Sequence, residues 1–343
     1  MTKNKTYPSV SLCTPTFNRR PFIPYLIKCI QNQIYPQDKM EWIIIDDGTD
    51  KIEDLVINIP IVKYYKYDEK MTLGEKRNLM HTKAAGDIII YIDDDDFYPP
   101  ERVSHAVETL MNNPKHLICG SSKMHIYFKH IQKMYTCGPY GENHATAATF
   151  AFKRELLKNT SYDEASCLGE EKKFLKDYTI PLVQLDSLKT ILVFSHNHNS
   201  FDKKELLKQQ NKFINESNLK VEDFVKDEEL RNFILHDIEQ ILDGYKPGEP
   251  SNKKDVEMYM HIVKNAREES MTRIKKHHED FQKQANAQFE NLKHMHERNM
   301  KDLIDTNKKL KDTNTYLEGK ITKLLADFIE CKKELSLLKK SNE

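Results

Sequence analysis

The stretch Ile88 to Pro100, IIIYIDDDDFYPP, constrains this chain more than any other. An apolar run of Ile88, Ile89, Ile90, Tyr91 and Ile92 has the composition of a buried strand, and it leads straight into Asp93, Asp94, Asp95 and Asp96. Four adjacent carboxylates repel one another. At the end of a buried strand they cost stability unless cations or hydrogen bonds offset the charge. A hard divalent cation, Mn²⁺ or Mg²⁺, is the simplest offset, because it binds one or two carboxylates and fills its other positions with water and phosphate oxygens. The competing reading is a solvated acidic turn before a helix, since Pro99, Pro100 and Glu101 fit a first helical turn.

The segments around this run alternate. Val10 to Cys13 reads as a short strand, and Thr14 to Arg19 (TPTFNR) as a polar turn. Apolar residues then recur at helical spacing from Phe22 to Ile34. Trp42 to Ile45 is apolar throughout and ends in Asp46, Asp47, Gly48 and Thr49, as befits a strand covered on both faces. Ile61 to Tyr65 predicts a further strand, Leu73 to Lys83 a helix, and Ile88 to Ile92 a strand. This alternation implies a doubly wound α/β sheet, in which ligands bind beyond the carboxyl ends of the strands. Neither GxxxxGK nor GxGxxG occurs, so phosphates must be held by metal and side chains, with Lys76 and Arg77 as candidates. Those two fit a solvated first helical turn equally well.

PTFNR at 15–19, IIIDDGT at 43–49, GEKRN at 74–78 and IDDDDFYPPERV at 92–103 together resemble the nucleotide-sugar-binding half of family 2 glycosyltransferases with the GT-A fold. Four motifs in the right order carry the resemblance, which covers about the first two hundred residues. It implies a UDP- or GDP-sugar donor and an inverting hexosyl transfer to an acceptor hydroxyl. It implies nucleoside contacts from Thr14, Pro15, Asp46 and Asp47. It further implies a DxD-type element at Asp93 to Asp95, with Asp95 the best metal ligand and Asp93 and Asp94 shared between metal and ribose. Four consecutive acids depart from the usual pattern, which has one non-acidic member. The richness in Lys, Asn and Ile is also similar to glycosyltransferases of large DNA viruses.

After a helix expected over Glu101 to Met111, shorter β-type segments follow at 117–121, 124–128 and 149–153, and this half should carry the acceptor side. Gly138 to His144 reads as a loop bordering it. Transfer to a hydroxyl needs a general base within hydrogen-bond reach. By resemblance, Glu170 and Glu171 sit where the family places its acid pair, with Glu171 the preferred base and Glu170 second. An acidic first helical turn is the competing reading. His196, after a strand expected at 190–195, is a candidate third metal ligand, since imidazole suits Mn²⁺ and His-x-x-Asn-Ser resembles an ending seen in related members. A surface turn rich in Asn and His is its alternative.

The 53 basic and 53 acidic side chains cancel, so no global field draws the chain to nucleic acid or anionic lipid. Six scattered cysteines and a polar N-terminus predict a reducing, cytoplasmic setting, and no apolar run reaches the length of a membrane span. Residues 1–201 are read as the catalytic domain, 202–243 as a helical extension, and 244–252, with Pro247, Gly248 and Pro250, as a linker. From 253 to 343 a long charged helix is expected. From about residue 300, Leu303, Leu310, Leu317, Leu324, Cys331 and Leu338 fall at heptad d positions, and Met300, Asn307, Asn314, Ile321, Phe328 and Leu335 at a. This seam predicts a coiled-coil homodimer; a single amphipathic helix folding back on 202–242 is the alternative. Besides an enzyme, two readings remain: a degenerate nucleotide-sugar-binding domain on a coiled-coil scaffold, and a metal-dependent nucleotidyltransferase.

Overall fold

The structure, a computed structural model, describes residues 7–208 and 211–340, apart from the side chains at 267 and 338–340; the expected helix end at 341–343 and the polar residues 1–6 lie outside them. Eleven strands and nine α-helices appear in these residues. In chain order they are β1 (Val10–Thr16), α1 (Ile23–Gln31), β2 (Met40–Asp46), α2 (Glu53–Val56), β3 (Val62–Lys66), α3 (Leu73–Lys83), β4 (Ile88–Tyr91), α4 (Arg102–Asn112), β5 (Ile118–Gly120), β6 (Met124–Phe128), β7 (Lys133–Cys137), β8 (Ala151–Lys153), α5 (Glu171–Phe174), β9 (Leu182–Gln184), β10 (Leu192–Ser195), β11 (Ile214–Ser217), α6 (Val221–Phe224), α7 (Glu228–Asn232), α8 (Ile238–Asp243) and α9 (Lys254–Lys340).

A seven-stranded sheet runs β3-β2-β1-β4-β8-β5-β9. β1, β2, β3 and β4 pair in parallel, and β8 lies antiparallel to both β4 and β5. The α/β expectation therefore holds, in a mixed sheet. Apolar runs such as Trp42 to Ile45 and Ile88 to Tyr91 are buried on both faces, as parallel pairing between helical layers requires. The chain builds outward from β1 through β2 to β3, then crosses back to place β4 on the other side of β1. The crevice at the carboxyl ends of β1 and β4 is thus a topological switch point, where ligands bind in such sheets.

Two side chains fix the end of β4. Arg102, fully buried in the first turn of α4, donates to the carbonyl oxygens of Phe150 (2.9 Å) and Tyr91 (3.4 Å). The Tyr98 hydroxyl accepts from the backbone N–H of Asp93 at 2.6 Å. The acid run consequently leaves the strand in one fixed direction. Phe97 then bridges to Leu192 of β10, which ties it to a second sheet of order β10-β6-β7-β11.

That second sheet corrects the reading of 202–242 as a helix. β11 lies in this stretch and pairs antiparallel with β7, and the helices after it are short, with a π-helical turn at Phe233–Asp237. Val221, Phe224, Leu230 and Ile234 pack on Tyr25, Phe97, Leu192 and Phe194. Apolar residues spaced every few positions read as helical whether they belong to one helix or to several short pieces around a strand.

Contacts divide the chain into two compact units, 1–262 and 263–343. The stretch 244–252 belongs to the first unit and forms two 3₁₀ turns, Lys246–Gly248 and Pro250–Asn252. It is an integral part of the folded unit, unlike a free tether. In the second unit the helix continues to Lys340, and the seam residues Met300, Leu303, Leu310, Leu317, Ile321, Leu324, Phe328 and Leu335 are all exposed in the single chain.

Candidate active site

The last residues of β1 and the acid run after β4 line one cleft, with a cavity of about 160 Å³. The turn after β1 is set by Asn18, whose φ of 52° is one that asparagine tolerates better than most residues. Its side-chain carbonyl accepts from the N–H of Asp50 (2.9 Å), and its amide donates to the carbonyl of Pro247 (2.9 Å). Arg19 is thereby presented to the acids. Its guanidinium lies 3.6 Å from Asp94 and 3.5 Å from Asp95, and it donates to the carbonyl of His198 at 2.7 Å.

Each acid of the run has a different surrounding. Asp93 Oδ1 is buried 3.6 Å from the Arg77 guanidinium, with no hydrogen-bond partner among the described residues. Burial raises the carboxyl of Asp94 to about 7 even against the Arg19 charge. Burial would raise Asp95 too, but the hydrogen bond with His196 and the charge of Arg19 outweigh it and hold Asp95 well below the usual carboxylate range. Asp96 accepts from the N–H of Phe194 (3.3 Å), and burial raises its pKa. The run therefore divides into an ionised acid at Asp95 and neighbours that burial makes harder to ionise.

His196 lies at the end of β10 with its Nε2 3.1 Å from Asp95 Oδ2, and Asn199 Nδ2 is 3.5 Å from the same oxygen. Burial lowers the imidazole to about 3, so the ring is neutral at physiological pH, the form in which histidine binds metals. Among the described residues no three of His, Cys, Asp and Glu converge into a ready-made cage. The residues present nevertheless fit a hard divalent cation: a carboxylate and a neutral imidazole converge, and the orphaned Oδ1 of Asp93 lies in the same run. Two or three protein donors, with water and phosphate oxygens completing the shell, is the usual way Mg²⁺ is held.

Of the residues singled out in the sequence, Pro15, Lys76, Arg77, Asp93, Asp94 and Asp95 line the cleft, and His196 abuts it through Asp95. Others do not reach it. Thr14 is the fifth residue of β1, fully buried, and its hydroxyl accepts from the indole N–H of Trp42 at 2.8 Å. Asp46 spends both oxygens on its own surroundings, accepting from the N–H groups of Gly48 (2.9 Å) and Ile52 (3.0 Å) and the hydroxyl of Tyr64 (2.6 Å). Asp47 accepts from the N–H of Met71 (2.7 Å) and forms an ion pair with Lys76. The capping box of Thr72 and Glu75 starts α3 and puts Lys76 and Arg77 on its buried face. The Lys76 ammonium is thus already paired, so its part is to hold the Asp47 loop against α3.

Neither glutamate lines the cleft. Glu170 is buried and accepts from Arg77 Nε at 2.9 Å, and the same guanidinium stacks 4.3 Å above the Tyr91 ring. Arg77 is therefore the link between Glu170 and Asp93. Glu171, the first residue of α5, has no such pair among the described residues. Burial and then the neighbouring charge of Glu170 raise it to about 7, a value suited to a general base.

The sequence reading did not single out several of the cleft's residues. Arg19 stands inside a quoted motif, and its position directly after a strand end was the available signal. Phe17, Lys70, Ser200, Lys253 and Asp255 also line the cleft. Nothing local marks Lys253, which falls where a linker gives way to a charged helix.

Residues 11–178 match the family described as Glycosyl transferase family 2. A GalNAc(5)-diNAcBac-PP-undecaprenol beta-1,3-glucosyltransferase of Campylobacter jejuni is 33% identical over 110 residues, which is 30% of this chain and 34% of that protein. The poly(ribitol-phosphate) beta-N-acetylglucosaminyltransferase TarS of Staphylococcus aureus is 26% identical over 109 residues, 28% of this chain and 18% of that protein. The chain thus spans about a third or less of the length of these relatives. Among solved structures, the mannosyltransferase PcManGT of Pyrobaculum calidifontis in complex with GDP-Man and Mn²⁺ aligns with TM-score 0.45 at 14% identity, covering 71% of this chain and 74% of that one. TarS 1-349 in complex with UDP aligns with TM-score 0.43 at 16% identity, covering 55% and 61%. No helix among the described residues is long and apolar enough to cross a membrane. The strand order is that of an α/β sheet, and over residues 11–178 this chain is similar to glycosyl transferase family 2.

Proposed function

We propose that this chain is a metal-dependent glycosyltransferase that moves a hexosyl unit from a nucleoside diphosphate sugar to an acceptor hydroxyl with inversion. The observation that carries the reading is the meeting of Asp95, His196 and Arg19 at the switch-point crevice. Asp95 and His196 would hold a Mn²⁺ or Mg²⁺ ion, with Asp93 as a further donor. Such an ion, when bound, neutralises charge on a departing diphosphate. Arg19 keeps Asp95 ionised and Asp94 oriented. Arg77 holds Glu170 and Asp93 in register, so the acceptor side and the donor side share one fixed cation. Glu171 takes the acceptor proton, and attack from the face opposite the leaving group inverts the anomeric centre.

The full chain is the right material for the test, because Lys253, Asp255 and Val256 line the cleft. Its melting temperature is expected to rise with one class of donor, uridine or guanosine diphosphate sugar, only when Mn²⁺ or Mg²⁺ is present. No shift with any donor would favour a degenerate domain.

We further propose that residues 300–340 pair as a parallel, in-register coiled coil with a second copy. Asn307 and Asn314 occupy a positions, where parallel pairing sets each asparagine against its own counterpart; antiparallel pairing would set them against leucines. In the same arrangement Asp327 at g faces Lys332 at e of the partner. Cutting after Ile262 is expected to yield a folded monomer by sedimentation, with the full chain a dimer. A dimeric fragment would place the interface in the first unit.

A further inference from the structure

The segment 244–256 closes one wall of the cleft. The carbonyl of Pro247 accepts from Asn18, and that of Gly248 from Arg19 at 3.5 Å. Gly248 passes so close to the turn after β1 that a Cβ there would lie 2.8 Å from His198 Nδ1 and 2.9 Å from Asn18 O. Lys70 pairs with Asp255. Between these anchors Lys253 turns inward: it is 6% exposed and lines the cleft together with Arg19, Asp94 and Asp95. Its ammonium donates to the Ser200 hydroxyl at 2.6 Å. Within the described residues no ion pair is formed by this lysine, so two of its three donor hydrogens are uncommitted.

We propose that Lys253 is a diphosphate-binding residue, and that this segment supplies the cleft with the cation that sequence-motif reading would place on α3. The inference rests on the donor reading above. Lys76 is committed to Asp47 and Arg77 to Glu170, so neither cation of the α3 motif is available to a ligand without breaking a buried pair. A buried lysine beside Arg19 is costly to keep charged: burial, and next the Arg19 charge, lower it to about 7. An anion entering the cleft would reverse that cost. A diphosphate entering the cleft would meet the Lys253 ammonium and the Arg19 guanidinium, which line it together.

The test compares binding of UDP, GDP, UMP and GMP, with Mn²⁺ present, by calorimetry on the full chain and on Lys253→Met, Lys253→Gln and Lys253→Arg. For the diphosphate that the wild type binds, the Met and Gln variants are expected to bind about 10- to 100-fold more weakly. The matching monophosphate should change by less than about threefold, and Lys253→Arg should retain most of the diphosphate affinity. Undiminished diphosphate binding in Lys253→Gln would overturn the inference while leaving the donor reading in place, and so would an equal loss for mono- and diphosphate, which marks a structural role. A wild type that binds neither diphosphate would overturn the donor reading and this inference with it. Gln keeps a neutral hydrogen-bonding group in the buried position, so it remains informative if the Met variant melts early.

Discussion

Replacing Asp95 with asparagine is expected to lower transfer by about a thousandfold and to abolish the Mn²⁺-dependent stabilisation by donor, the largest effect of any single substitution in the cleft. Asp95 Oδ2 is approached by His196 Nε2 at 3.1 Å, Arg19 NH2 at 3.5 Å and Asn199 Nδ2 at 3.5 Å, so one oxygen serves both the proposed metal position and the cation of the turn after β1. Asparagine keeps the shape and removes the charge. Alanine would also strip Arg19 of a partner at a buried site, a loss on the order of 3–5 kcal/mol in stability, and would confuse binding with folding. Measuring the thermal shift with and without Mn²⁺ in the Asn variant separates the two. Full activity there would remove the metal assignment.

The second large effect belongs to Glu171. Glu171→Gln should reduce kcat by about 10²- to 10⁴-fold while donor binding stays unchanged. Its raised pKa, about 7, gives a sign to the pH dependence: a base must be deprotonated, so wild-type kcat should climb as pH rises through about 7 and level off above it. Glu170→Gln should behave differently. It releases the buried Arg77, so the expected signature is a lower melting temperature. If the Glu170 variant folds normally and is the inactive one, the two roles are exchanged.

Much of the cleft was legible because its signals are local. A buried strand running into four acids, and strands running into polar turns, announce themselves by composition, and α3 spans Leu73–Lys83 as read from the sequence. What a local pattern cannot tell is which polar groups the fold consumes. Thr14, Asp46 and Asp47 stand at strand ends, as cleft residues do, yet Trp42, Tyr64 and Lys76 claim their side chains from other elements. β1 and β2 each run further than their apolar cores, because ladder hydrogen bonds continue through Thr16 and Asp46 whatever the side chains are. The stretch 202–242 failed for a related reason: β11 is too short and polar to show a period, and only pairing with β7 makes it a strand.

The wall made by residues 244–256 also has a consequence for the order in which the protein can be made. Asn18 and the carbonyl of Pro247 that it binds are 229 positions apart. A ribosome releases β1, β4 and their acids long before the wall exists, so the nascent domain carries its acid run with Arg19 and Arg77 but without Lys253. The cleft is finished only when the start of α9 has emerged. Until then it stands open on that side, and the last piece to arrive is the one that also begins the helix through which two copies would pair.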